Sequence, residues 1–150
     1  LTGKYHNEIA DFIVGLSQNE YRNARFNLKK EVRTKCGAIT DVAGTVKIGS
    51  RIFSIGFEVK VSYHDLVMSE YGKSLSEWDF NYLVVPENLR RSAIGALYEK
   101  SFVDGKVGCE FDRAGVLLYN PKKGLTSYKP AKGHNLTAVE SYLSLDPMLL

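Results

Sequence analysis

Cysteine is scarce in this sequence and does not cluster. Cys36 and Cys109 lie far apart, and neither belongs to a CxxC or a Cys/His group. A disulfide framework or a structural zinc site is therefore not expected, and the pattern fits two ordinary thiols in a reducing cytoplasm. No apolar run approaches the roughly 20 residues of a membrane span. No signal peptide shows at the N-terminus, and without one the glycosylation pattern at Asn135-Leu136-Thr137 carries no weight. Repeats and low-complexity tracts are absent. An excess of one charge is also missing: 20 Lys and Arg stand against 17 Asp and Glu, a formal net of +3. That surplus permits an anionic partner without demanding one. The start at Leu1 rather than Met hints at a domain cut from a longer chain.

What is present is one core's worth of apolar residues, 44% of 150, which argues for one domain. Thr2 to Leu16 reads as a helix, with Ile9, Phe12, Ile13 and Leu16 in one stripe that Tyr5 joins. Three extended segments follow: Phe26 to Thr34, Ile39 to Ile48 and, after a turn at Gly49-Ser50-Arg51, Ile52 to Val61. The last alternates strictly through Phe53, Ile55, Phe57, Val59 and Val61, so the three predict an antiparallel meander whose final strand is central. Tyr63 to Leu75 reads as a helix, Asp79 to Val85 as a strand parallel to the preceding one, and Pro86 to Lys100 as a helix with Leu89, Ile94, Leu97 and Tyr98 inward. Gly115 to Tyr119 is expected as the last strand. Residues 1–120 then form the domain proper, and 121–150 a looser basic tail with a closing helix over Thr137 to Leu145. The class is α/β, a mixed central sheet flanked by helices.

Three polar residues break the apolar pattern. Asp41 sits between Ile39 and Val42, and Glu58 and Lys60 interrupt the most hydrophobic strand. Glu58 and Lys60 share a parity, so both leave the face that Phe57, Val59 and Val61 occupy. An ionised group beside a core is costly unless it is paired or binds a metal. Two carboxylates suit Mg²⁺ (or Mn²⁺), which takes oxygen ligands and keeps several waters. Such an ion polarises a phosphodiester and activates a bound water. Lys60, ~7 Å along the same strand face from Glu58, can orient that water or steady the transition state. The Val59 carbonyl is a further candidate ligand.

Asp41 followed by Glu58-Val59-Lys60 resembles the D…ExK signature of the PD-(D/E)xK nuclease superfamily. The resemblance extends to the small MmcB-like DNA-repair nucleases. Glu58-Val59-Lys60-Val61-Ser62-Tyr63-His64-Asp65-Leu66 is similar to their E-x-K-x-S-x-x-D-F segment. Trp78-Asp79-Phe80-Asn81-Tyr82-Leu83-Val84-Val85-Pro86 is similar to their C-D-x-x-x-x-A-V-P strand, with Trp78 in place of the cysteine, and Gly115-Val116-Leu117-Leu118 to a later G-[LI]-[IL] strand. It implies a restriction-endonuclease-like αβββαβ core and a metal-dependent DNA endonuclease of repair, recombination or restriction, cytoplasmic and nucleoid-associated. Asp41, Glu58 and Lys60 would be catalytic, with Asp41, Glu58 and Val59 at the metal. A homodimer is a further expectation, since small nucleases of this fold often pair to cut two strands. Some resolvases of the superfamily carry a first-helix glutamate, where Glu8 falls.

Each candidate has a plainer reading. Glu58 and Lys60 can be a surface ion pair, Asp41 a turn residue, Glu8 a solvated helix face. Ser62 can cap the next helix, and Lys73 can be solvated rather than on a phosphate. Tyr5 and His6 can approach a scissile strand, although core packing suits Tyr5 better. Arg90, Arg91, Lys122, Lys123, Lys129 and Lys132 are the candidate contacts to DNA, each neutralised phosphate adding salt sensitivity. The alternatives to a DNA endonuclease are a catalytically weak or inactive nucleic-acid-binding module on the nuclease fold, or an RNA-cleaving enzyme on it.

Overall fold

The computed structural model describes residues 3–18, 20–21, 24–35, 37–72, 74–100, 102–103, 106–107 and 113–131. Helix α1 (Lys4–Gly15) leads into the short strand β1 (Glu20–Tyr21) and the meander β2 (Ala24–Arg33), β3 (Ile39–Ile48) and β4 (Arg51–Val59). Then come α2 (Tyr63–Met68), β5 (Phe80–Pro86), α3 (Arg90–Lys100), the small hairpin β6 (Phe102–Val103) and β7 (Lys106–Val107), and β8 (Ala114–Asn120) with β9 (Gly124–Lys129). The main sheet has the order β1-β2-β3-β4-β5-β8-β9. Its first four strands pair antiparallel, β4, β5 and β8 run parallel, and β9 returns antiparallel.

Period-two alternation makes the meander. Phe53, Ile55, Phe57 and Val59 point to one face, where Ile9 and Ile13 of α1, and Leu16 just after it, close over them with Phe26, Val42 and Tyr82. Fully burying a side chain such as Phe57 contributes about 1.5–3 kcal/mol. Gly49, at φ 61, supplies the left-handed turn that joins β3 to β4. The other face is covered by α2 and α3, through Leu66, Ala93, Ala96 and Leu97 against Leu83, Val85 and Val116. Strand β5 is buried along its whole length, as a parallel strand between covered faces must be. No helix among the described residues is long and apolar enough to cross a membrane.

Several expectations need correction. Tyr5 and Phe12 are the rim of the α1 stripe rather than its centre, at 36% and 39% exposure. Helix α2 stops at Met68 because Ser69 turns extended, and its hydroxyl bonds back to the Asp65 carbonyl. Tyr71 and Leu75 still reach the core, but from a loop and a single 3₁₀ turn over Ser74–Ser76. The inward face of α3 is Ala93, Ala96 and Leu97, leaving Tyr98 exposed. The segment after Asn120 is not a loose tail throughout, since Gly124–Lys129 forms edge strand β9. Lys73, Lys132 and the expected closing helix lie outside the described residues.

Candidate active site

Asp41 and Glu58 meet where the β3–β4 ladder ends. Its last pair is Val42 with Phe57. Two residues past Phe57, the Val59 N–H donates to Asp41 Oδ2 at 2.8 Å. On the far side of Asp41, strand β2 is distorted as well. Lys30 pairs with Val42 and Val32 with Thr40, and between them Glu31 takes a left-handed φ of 55. Left-handed backbone is uncommon for a residue with a side chain, and strain of this kind gathers at functional sites.

Glu58 is buried. Its Oε1 accepts the Ser74 hydroxyl at 2.8 Å, and Lys60 Nζ lies 3.9 Å from its Oε2. Lys60 also sits over the Tyr71 ring, 5.2 Å from the centroid. Behind Ser74 the bonds continue. Ser74 Oγ and Thr40 Oγ1 are 2.7 Å apart, and Trp78 Nε1 donates to Thr40 Oγ1 at 3.1 Å. Ser74 spends its single proton on Glu58, so Thr40 donates to Ser74, and all three bonds point toward the carboxylate. Trp78 packs close against Gly56, where a Cβ would fall 2.0 Å from the indole ring.

Electrostatics separate the two acids. Burial, then the Asp41 charge, push Glu58 up to about 7, against the lowering pull of Ser74, Lys60 and the Asp41 backbone N–H. Burial works the same way on Asp41. There, however, the His6 and Val59 hydrogen bonds and the charges of His6 and Lys60 outweigh it and hold the carboxyl below its ordinary range. The two carboxylates therefore sense each other, and both sense Lys60.

His6 is the residue that sequence reasoning underrated. Its Nε2 lies 3.3 Å from Asp41 Oδ2. The signal was there: His6 stands three and four residues before Ile9 and Ala10, on the buried stripe of α1. Glu8 goes elsewhere, accepting the Tyr119 hydroxyl at 3.3 Å. Ser62 caps α2 by accepting the Asp65 N–H at 3.1 Å, which is the plainer of its two readings.

The basic candidates divide by strand direction. Because β4, β5 and β8 are parallel, their C-terminal ends share one edge of the sheet. Arg90 and Arg91 follow β5 at that edge, and Lys122 and Lys123 follow β8, all four exposed. Asn120 Nδ2 donates to Glu87 Oε2 at 3.1 Å and ties the two loops together. Lys129 is at the opposite end, paired with Val116, and its ammonium is spent on the Ala114 carbonyl.

Among the described residues, no group of three or more His, Cys, Asp and Glu side chains is placed to hold a metal ion. An ion carried by three or four side chains, as zinc is, asks for such a group. Mg²⁺ asks for less, one or two carboxylates with water completing its shell, and Asp41 and Glu58 are the side chains that could supply them. No family model matches the chain, and no curated protein or solved structure matches it.

Proposed function

We propose that the chain is a divalent-metal-dependent DNA endonuclease with a restriction-endonuclease-like core. The observation that carries this reading is the convergence of Asp41, Glu58 and Lys60 at the end of the β3–β4 ladder. The order α1, β2, β3, β4, α2, β5 supports the core assignment. The place of the site supports it too, since ligands of open α/β sheets bind outside the carboxyl ends of the parallel strands.

Asp41 and Glu58 would hold Mg²⁺ or Mn²⁺, with the Val59 carbonyl as a further oxygen. Bound there, the ion supplies Lewis acidity toward a phosphodiester and a water of lowered pKa. Ser74 keeps the Glu58 carboxylate turned. Lys60, steadied between Glu58 and Tyr71, offers a fixed ammonium that can hold the attacking water and offset charge developing on phosphorus. Arg90, Arg91, Lys122 and Lys123 at the same edge would bind the DNA backbone. Such an enzyme would act at the nucleoid, and a homodimer would let two sites address two strands.

The test is cleavage of plasmid, branched and single-stranded DNA with Mg²⁺ or Mn²⁺, alongside matched RNA. Activity that is lost in Asp41→Ala and Lys60→Ala supports the proposal. Robust metal-dependent cleavage surviving in both variants overturns the site. A second reading is a binding module without turnover, favoured by one observation: Asp41 Oδ2 is already taken by two donors from the protein itself. DNA binding with no cleavage of any substrate would select it.

A further inference from the structure

We infer that His6 is a positioning residue, the group that fixes how the Asp41 carboxylate is turned; this rests on the metal-site reading above. Asp41 Oδ2 accepts only, so the proton between it and His6 belongs to Nε2, 3.3 Å away. The same oxygen accepts the Val59 N–H at 2.8 Å. One donor comes from α1 and the other from β4, so the carboxylate is held from two elements. Neither contact uses Oδ1, which is the oxygen left to face a cation.

The second observation concerns the other ring nitrogen. His6 Nδ1 is buried and has no hydrogen-bond partner among the described residues. A buried polar atom left unpaired lowers stability. The neighbours of His6 on the α1 stripe, Ile9 and Ala10, are buried and apolar, and an apolar side chain at position 6 would avoid that loss. Histidine here is therefore poor for holding helix to sheet and good for donating to Asp41. Outer partners of this kind govern ligand orientation, and losing one typically weakens metal binding about 10–100-fold.

The experiment is Mn²⁺ titration by calorimetry on the full chain, with thermal unfolding in chelator as its control. His6→Phe removes both the donor and the unpaired nitrogen. It is expected to bind Mn²⁺ about 10–100-fold more weakly, with cooperative unfolding in chelator showing that the fold is kept. His6→Gln, whose amide can donate to Oδ2, is expected to restore binding to within about threefold of wild type. The inference is overturned if His6→Phe binds as wild type does, or if His6→Gln is no better than His6→Phe. Wild-type protein that takes up no Mn²⁺ overturns the metal site itself, and His6 with it. Wild-type uptake with indifferent variants overturns the role of His6 alone.

Discussion

Glutamine in place of Glu58 keeps the side chain's shape and the oxygen that Ser74 donates to, and removes its charge. In the folded chain the Glu58 carboxyl is pushed from 4.5 to about 7. Unfolded, it loses its proton near the ordinary value. Between those limits the folded state binds more protons than the unfolded state, so stability falls as pH rises, and the loss is complete above about pH 7. At ~1.36 kcal/mol per pH unit the loss is about 3 kcal/mol. Glu58 is only 4% exposed, so solvent screening takes little from that figure. Asp41 works in the opposite sense, its lowered carboxyl losing stability as pH falls below 3.8, outside this window. Glu58→Gln should therefore match wild type near pH 4.5 and exceed it by about 3 kcal/mol at pH 8. For a chain of this size that is a rise of roughly 6–12 °C in unfolding temperature. Urea unfolding followed by circular dichroism, in chelator at several pH values, measures it. Adding Mn²⁺ at 100 times its dissociation constant should then return about 2.7 kcal/mol to wild type and little to the variant. Parallel pH profiles for the two proteins would refute the reasoning.

Lys60→Met is expected to fold and to bind Mn²⁺ while cleavage falls about 10²–10³-fold, as when one fixed transition-state donor is lost; calorimetry beside a cleavage assay separates the two effects. Gly44→Ala would set a Cβ 1.9 Å from the Asn27 carbonyl oxygen on β2. Backbone cannot step aside as a side chain can, so the cost should reach about 3 kcal/mol, read from the urea midpoint. Ser62→Ala removes the α2 cap and should lower stability by about 1 kcal/mol with cleavage unchanged. Changing Arg90, Arg91, Lys122 and Lys123 to Ala should flatten the salt dependence of DNA binding by about 0.9 in slope for each phosphate no longer neutralised, whereas Lys129→Ala should leave it unchanged.

The meander and the central pair were legible because period-two alternation is unambiguous there, and because Glu58 and Lys60 break it at one parity. The covering layer was harder to read. Leu66, Tyr71 and Leu75 made a helical stripe, and all three are buried. Burial does not require one continuous helix, however, and Ser69 ends it early. On α3 the packing side is mostly alanine, too weakly apolar to outweigh Leu89, Ile94 and Tyr98. Strand β9 buries only Gly124 and Leu125, which leaves little alternation to detect. In the site, Asp41 and Glu58 could be paired through the hairpin that joins them. Ser74, Thr40 and Trp78 could not, because 34 residues separate Thr40 from Ser74 and only the fold brings them together. His6 lay between these cases, marked by its helical face but without a partner that sequence could name.

Trp78 is the chain's one tryptophan, and its indole N–H begins the line of donors that ends on Glu58. Hydrogen bonds in series polarise one another, so the charge on that carboxylate is felt at the ring. The protein thus carries an optical probe of the charge on Glu58. Intrinsic fluorescence should change as Glu58 titrates or takes up an ion, with no label attached, and Thr40→Val, which cuts the line beside the indole, should silence the signal.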